Sequence, residues 1–172
     1  NHSGGAYGGD TFWDTIGREF GVTDHKHYKD EGNQKVSKKL KDSGVQATVL
    51  TKEQMDVARD QVEKLTGIRY GDTLTGNLQV RNYYQVANSD AVFAVATIKD
   101  ASNVKGGTNT AVQLGIKMGK PVYVWDTKTK DWYEWDGKVF DVMLEPPTLT
   151  KNFAGVGSRD IESYNVYNKE TK

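Results

Sequence analysis

The stretch from Asp90 to Asp126 most constrains what this chain can fold into, because it reads as strand, glycine loop, helix and strand in direct succession. Ala91-Val92-Phe93-Ala94-Val95-Ala96 is a continuous run of small and branched apolar residues, the pattern of a strand buried on both faces. Gly106-Gly107-Thr108-Asn109-Thr110 follows. Ala111, Leu114, Gly115 and Met118 then fall on one helical face. Gly119-Lys120-Pro121 stops that helix, and Val122-Tyr123-Val124-Trp125 reads as the next buried strand. A Gly-Gly-Thr turn that opens a helix has two readings. It is an ordinary tight βα turn, or it is a phosphate cradle in which glycine lets backbone N–H groups approach the anion and the helix N-terminus adds partial positive charge.

The same device recurs at the start of the chain. Ser3-Gly4-Gly5-Ala6-Tyr7-Gly8-Gly9-Asp10 is a glycine loop, and Phe12, Trp13, Ile16 and Phe20 then repeat at helical spacing up to Gly21. Asp10 is placed to act as its N-cap. Near the other end, Leu149 to Ala154 reads as a strand. A third glycine loop follows it, Gly155-Val156-Gly157-Ser158-Arg159-Asp160, then a helical turn over Ile161 to Tyr164 and a polar tail from Asn165 to Lys172.

Between these landmarks the pattern is less telling. His25-Lys26-His27-Tyr28 reads as a short strand whose two histidines share a face, with no third metal ligand nearby. The lysine-rich segment 29–47, with Lys35, Lys38, Lys39 and Lys41, reads as solvated surface, or else as a lid over an anion. Thr51 with Gln54 makes a capping box for a helix carrying Met55, Ala58, Val62 and Leu65 and closed by Gly67. A turn over Gly71 to Thr75 leads to a helix from about Asn77 to Ala87. Its Arg81 is placed either to reach a phosphate near the sheet edge or to lie on the surface. Trp132 to Phe140 reads as a hairpin around Asp136-Gly137, a small aromatic β appendage.

Composition narrows the function classes. Among 172 residues, 23 basic and 23 acidic side chains cancel. That disfavours nucleic acid and membrane surface as general partners. There is no cysteine, so there is no disulfide, thiolate metal site or cysteine nucleophile, which suits a reducing cytoplasm. No apolar run approaches the roughly 20 residues of a membrane span, and no signal peptide is visible.

The glycine loops match neither the Walker sequence nor the dinucleotide G-x-G-x-x-G fingerprint. They do resemble the SLOG superfamily, the Rossmann-like group that includes DprA and the LOG proteins. Ser3 to Asp10 resembles that group's "SGGA-x-GAD" loop. Asp90-Ala91-Val92, Gly106-Gly107-Thr108 and Pro121-Val122-Tyr123-Val124 resemble its "DA…GGT…GKPV" unit. Gly155-Val156-Gly157-Ser158-Arg159 resembles its "G-[IV]-GSR" turn. In those relatives GSR precedes SGGA, so the resemblance implies a circular permutation here, with the strand near Asn152 beside the N-terminus. The chain is also similar to a domain met in phage and prophage-bearing genomes. LOG enzymes cleave nucleoside monophosphates with a glutamate in a PGGxGTxxE motif. Gln113 is the residue most like that glutamate, and an amide cannot act as general acid or base.

The expectation is therefore an α/β, Rossmann-like, mostly parallel sheet flanked by helices, one domain over 1–164 with a tail over 165–172. Three glycine loops would meet at the sheet edge and bind a nucleotide or nucleotide-derived phosphorylated ligand, in a sensor or sequestering role. The alternative is a LOG-like hydrolase of an N-glycosidic or phosphate bond. The candidate ligand residues are Ser3, Gly4, Gly5, Ala6, Asp10, Arg81, Gly106, Gly107, Thr108, Asn109, Thr110, Gly157, Ser158 and Arg159. No catalytic residue, metal site or fixed cofactor is assigned. A further copy of the chain is the macromolecular partner expected, from the aromatic content and the habits of those relatives.

Overall fold

The computed structural model describes residues 2–3, 26–30 and 46–157. They form an α/β, Rossmann-like fold built on a single eight-stranded sheet. Its strands are β1 (His2–Ser3), β2 (Lys26–Asp30), β3 (Gln46–Leu50), β4 (Ala91–Ala96), β5 (Val122–Asp126), β6 (Trp132–Trp135), β7 (Phe140–Val142) and β8 (Phe153–Gly157). The order is β3-β2-β1-β8-β4-β5-β6-β7. The first six strands in that order run parallel, and β6 and β7 extend the sheet antiparallel beyond β5. The aromatic hairpin is thus a continuation of the sheet.

Helix α1 (Lys52–Thr66) forms because its ends are satisfied locally. Thr51 Oγ1 accepts from Gln54 N at 3.2 Å, and Gln54 Oε1 accepts from Thr51 N at 2.9 Å. Gly67 ends it at φ 78°, a left-handed position that glycine takes without penalty. Met55, Ala58 and Val62 are its buried stripe. The single helix expected over 77–87 is two abutting helices, α2 (Leu74–Val80) and α3 (Asn82–Ala87). It begins earlier because Thr73 Oγ1 caps the N–H of Gly76. Helix α4 (Thr108–Lys117) lies across β4 and β5. Gly115 permits this, since a Cβ there would stand 2.8 Å from the Cγ2 atoms of both Val92 and Val122.

β4 is buried at every residue, as its apolar run demands. On one face Val92, Ala94, Ala96, Val122, Val124, Ala154 and Val156 pack beneath Val62, Val86, Ala111, Val112 and Leu114 of the helices. On the other, Ala91, Phe93, Val95, Trp125, Trp132 and Phe153 form a second cluster, with Met143 and Leu149 packed against it. Full burial of a side chain the size of Phe93 is worth about 1.5–3 kcal/mol. Its ring meets Phe153 edge-on at 5.8 Å. Pro121 and Lys120 fix the start of β5. Lys120 Nζ donates to the carbonyls of Val86, Ala87 and Ser89 at 2.6, 2.9 and 2.6 Å, closing the C-terminal end of α3. Burial holds this ammonium below its ordinary pKa, and Asp90 works against that shift.

One sequence reading is corrected here. Gly155, Val156 and Gly157 are not loop but the body of β8, and the strand starts at Phe153 rather than Leu149. Two glycines in three residues resemble a turn. Here they stand opposite Phe93 and Val95 across the ladder, paired as strand residues. The pairing of β8 with β1, His2 opposite Ala154, places the strand near Asn152 beside the N-terminal strand.

Candidate functional site

Because β1, β8 and β4 are adjacent and parallel, their C-terminal ends at Ser3, Gly157 and Ala96 face the same edge of the sheet, with β1 stopping level with Gly155. β1, β2 and β3 step outward in one direction, and β4 and β5 in the other, so this edge holds the point where the strand order reverses. Crevices that bind ligands in open α/β sheets form there. The residues that follow two of these strands, Gly4, Gly5, Ala6, Asp10, Ser158 and Arg159, lie outside the described residues. So do the helix expected through Phe12 and Phe20, most of the lysine-rich segment and the tail. What the structure describes in full is the β4–α4 wall.

That wall begins with a braced loop. Ile98 bridges Val104 antiparallel, and Lys105 N donates to Thr97 O at 2.8 Å. Asp126, buried at the end of β5, accepts from Ile98 N at 3.0 Å and from Thr129 N and Oγ1 at 3.2 and 2.9 Å. The Thr97 and Thr127 hydroxyls are hydrogen-bonded to each other. Phe140 N, on the aromatic hairpin, donates to Ala101 O at 3.1 Å. Asp100 Oδ1 accepts from Ser102 N at 3.0 Å and from Asn103 N and Nδ2 at 2.9 and 3.0 Å, which holds its carboxyl below the usual range.

Asn109 and Gln113 complete this bracing from the helix side. Asn109 Oδ1 accepts from Val104 N at 3.1 Å, and its Nδ2 donates to Asn103 Oδ1 at 3.1 Å. Gln113 Nε2 donates to Ser102 O at 2.6 Å. Both amides therefore hold the loop in place.

The two glycines of the turn have different reasons to be glycine. Gly106 sits at φ 78°, which disfavours any side chain. Gly107, the N-cap of α4, sits at φ −65° and ψ −21°, where any residue fits. What a Cβ there would meet is Gln79 Nε2, at 2.5 Å. Gly107 thus leaves room for the Gln79 amide beside the helix N-terminus, and it offers no side-chain cap to the first N–H groups.

A groove of about 280 Å³ runs along this turn. Gly106, Gly107, Asn109, Thr110 and Gln113 form one side, Thr66, Ile68 and Tyr70 the other, with Thr75 and Gln79 between them. Tyr70 Oη and Thr110 Oγ1 are hydrogen-bonded at 3.0 Å. Arg59, itself buried, fixes the second side. Its Nε donates to Tyr70 O at 2.9 Å, its Nη1 to Asp56 at 3.1 Å, and its Nη2 to Asn77 Oδ1.

No family model, curated protein or solved structure matches this chain. The site is therefore read from its own atoms. Of the expected ligand residues, the structure brings Gly106, Gly107, Asn109 and Thr110 together at the groove, with Thr108 between them in the first turn of α4. Arg81 stands apart. It is 2 % exposed, and its Nη1 donates to the Tyr28 carbonyl of β2 at 3.1 Å. It is neither a surface residue nor part of the groove, because the junction of α2 and α3 points it into the core beneath β2. Among the described residues there is no group of three His, Asp or Glu placed to hold a metal ion, and no helix long and apolar enough to cross a membrane. Sequence reasoning missed Arg59, Tyr70, Gln79 and Asp126. Tyr70 precedes the Gly71 turn, but nothing in its neighbourhood signals a partner forty residues on.

Proposed function

We propose that this protein binds a small phosphorylated ligand, a nucleotide or a derivative of one, at the sheet edge where the β4–α4 turn opens. The observation that carries this is Gly107. Its backbone conformation does not call for glycine, yet any side chain there would meet the Gln79 amide, and the ten-residue helix it opens has no side-chain cap and borders a groove. An anion there gains from the helix dipole, worth about 0.3–1 kcal/mol at an exposed site, and from the N–H of Thr108; the next two, of Asn109 and Thr110, already donate to the Gly106 and Gly107 carbonyls at 3.2 Å. The parallel strands β1 and β8 end on the same edge of the sheet as β4. The likeness of these three motifs to the SLOG group supports the same reading.

Binding without turnover is favoured over LOG-like hydrolysis. Gln113, the residue most like the glutamate of that group, is spent on the Ser102 carbonyl. A sensor or sequestering role follows from a site of this kind.

The test is calorimetric titration of the protein with AMP, ribose 5-phosphate and inorganic phosphate, alongside Gly107→Leu. That variant keeps an allowed φ and displaces only the end of the Gln79 side chain, so circular dichroism should show an unchanged fold. Loss of binding in Gly107→Leu supports the proposal. Equal binding in both proteins, or no phosphorylated probe binding to the unaltered protein, sinks it. Release of free base from AMP on chromatography would reinstate the hydrolase.

A further inference from the structure

Charge is not spread evenly along this sheet, although the whole chain is neutral. At one end, residues 131–145 carry β6 and β7. They hold five acids, Asp131, Glu134, Asp136, Asp141 and Glu145, against one lysine, Lys138. All five acids are exposed, and among the described residues none is in an ion pair. Glu134 stands directly opposite Asp141 across the antiparallel ladder, a pairing that destabilises when both are charged. The Asp141 carboxyl is held above its ordinary pKa, first by a hydrogen bond with Asp136 and then by the charges of its acidic neighbours. Apolar side chains stand beside these acids without cover: Leu144 is fully exposed and Val142 is 58 % exposed.

The other end of the sheet has the opposite character. Residues 31–45 join β2 to β3. Lys35, Lys38, Lys39 and Lys41 fall there within seven residues, with no acid among them and with Val36 and Leu40 between them. Six strand spacings, about 29 Å, separate β2 from β7. A connection of this length, tied at both ends, reaches at most about 25 Å, half its extended length. It reaches less because β2 and β3 are parallel and the chain must cross back along the sheet.

We infer that the acidic β6–β7 end of one copy docks on the lysine-rich β2–β3 end of a second copy, head to tail. Four lysines answer five acids, and Val36 and Leu40 answer Val142 and Leu144 in kind. A two-fold contact through the hairpin would set its acids against themselves. The head-to-tail contact leaves one acidic and one basic end free on every pair, so it builds rings or chains. Part of the β7 edge is already taken, with Phe140 N donating to Ala101 O, so side chains carry the contact. It lies away from the groove and does not depend on the ligand reading.

The test is sedimentation velocity on the unaltered protein, on Glu134→Lys with Asp141→Lys, on Lys38→Glu with Lys39→Glu, and on Leu144→Ser, each checked for folding by circular dichroism. The unaltered protein should form species larger than a monomer at about 0.05 M salt. It should be monomeric at about 1 M, where screening shortens to about 3 Å. Each charge-reversed variant alone should be monomeric at low salt. Mixed in equal amounts they should associate again, because the lysines of the first meet the untouched hairpin of the second. Leu144→Ser should weaken association about tenfold. A monomer at every salt concentration, association that survives in the hairpin variant, or a mixture that stays monomeric overturns the proposal. Association lost in the hairpin variant but kept in the lysine variant also overturns it, since the acids would then meet a different surface.

Discussion

The Tyr70 hydroxyl lies 3.0 Å from the Thr110 hydroxyl, across forty residues of sequence. This bond joins the connection after α1 to the first turn of α4, the two sides of the groove. Tyr70→Phe removes it and takes this partner from the hydroxyl of Thr110, a buried residue. The expected cost is about 1 kcal/mol, read as a lower urea midpoint at unchanged slope. Faster amide exchange should appear at Thr110 and its neighbours, and an unchanged midpoint would show that the bond carries nothing.

Gly115 sets two effects against each other. Alanine in place of glycine inside a helix gains about 1 kcal/mol. Its Cβ would press on Val92 and Val122 at 2.8 Å, in a core with no slack, and overpacking typically costs 1–3 kcal/mol. The clash wins, so Gly115→Ala should destabilise by about 1 kcal/mol net. Combining it with Val92→Ala should recover part of the loss, and strict additivity in that double-mutant cycle would refute the contact.

Lys120→Met strips three carbonyls of their shared donor at the end of α3. Two of these bonds are partly buried, so water replaces the ammonium imperfectly. Chemical denaturation should report a loss of about 1–2 kcal/mol. Hydrogen exchange should localise it to residues 85–90, and protection there equal to that of the unaltered chain would count against the cap.

Asp100 supplies the pH dependence. Its carboxylate accepts backbone and side-chain N–H groups, which lowers its pKa in the folded state. The stability it lends is therefore present above its unfolded value, about 3.9, and is lost as pH falls through the lower folded value. Carboxyl NMR titration should place its midpoint below that of a free aspartate. A midpoint at or above it would mean that the loop is not closed in solution.

The fold was legible where one residue type carries one meaning. β4 and β5 announce themselves as short unbroken apolar runs bounded by turn residues. The start of α1 is written in Thr51 and Gln54, and its end in Gly67. β8 was misjudged because two glycines in three residues signal a turn, and only their pairing with Phe93 and Val95 of β4 shows them to be strand. The burial of Arg81 was not legible either: an arginine reads as surface or as anion ligand, and only the fold brings the Tyr28 carbonyl to it. The glycine turn of the site was visible, whereas the opposite side of the groove was not. Ile68, Tyr70 and Gln79 are ordinary residues, made relevant only by where Arg59 holds the chain.

β8 occupies the centre of the sheet although it is the last of the described strands to be made. Until residue 153 is synthesised, β1 and β4 each present an open edge with no strand between them. Parallel pairing over such sequence distances is slow, and waiting edges invite other chains. The sheet resembles an arch closed by its final stone. A ribosome stalled before Phe153 would therefore release two half-sheets rather than a slightly shortened protein. The interval between making β4 and delivering β8 is when this chain has most need of a chaperone.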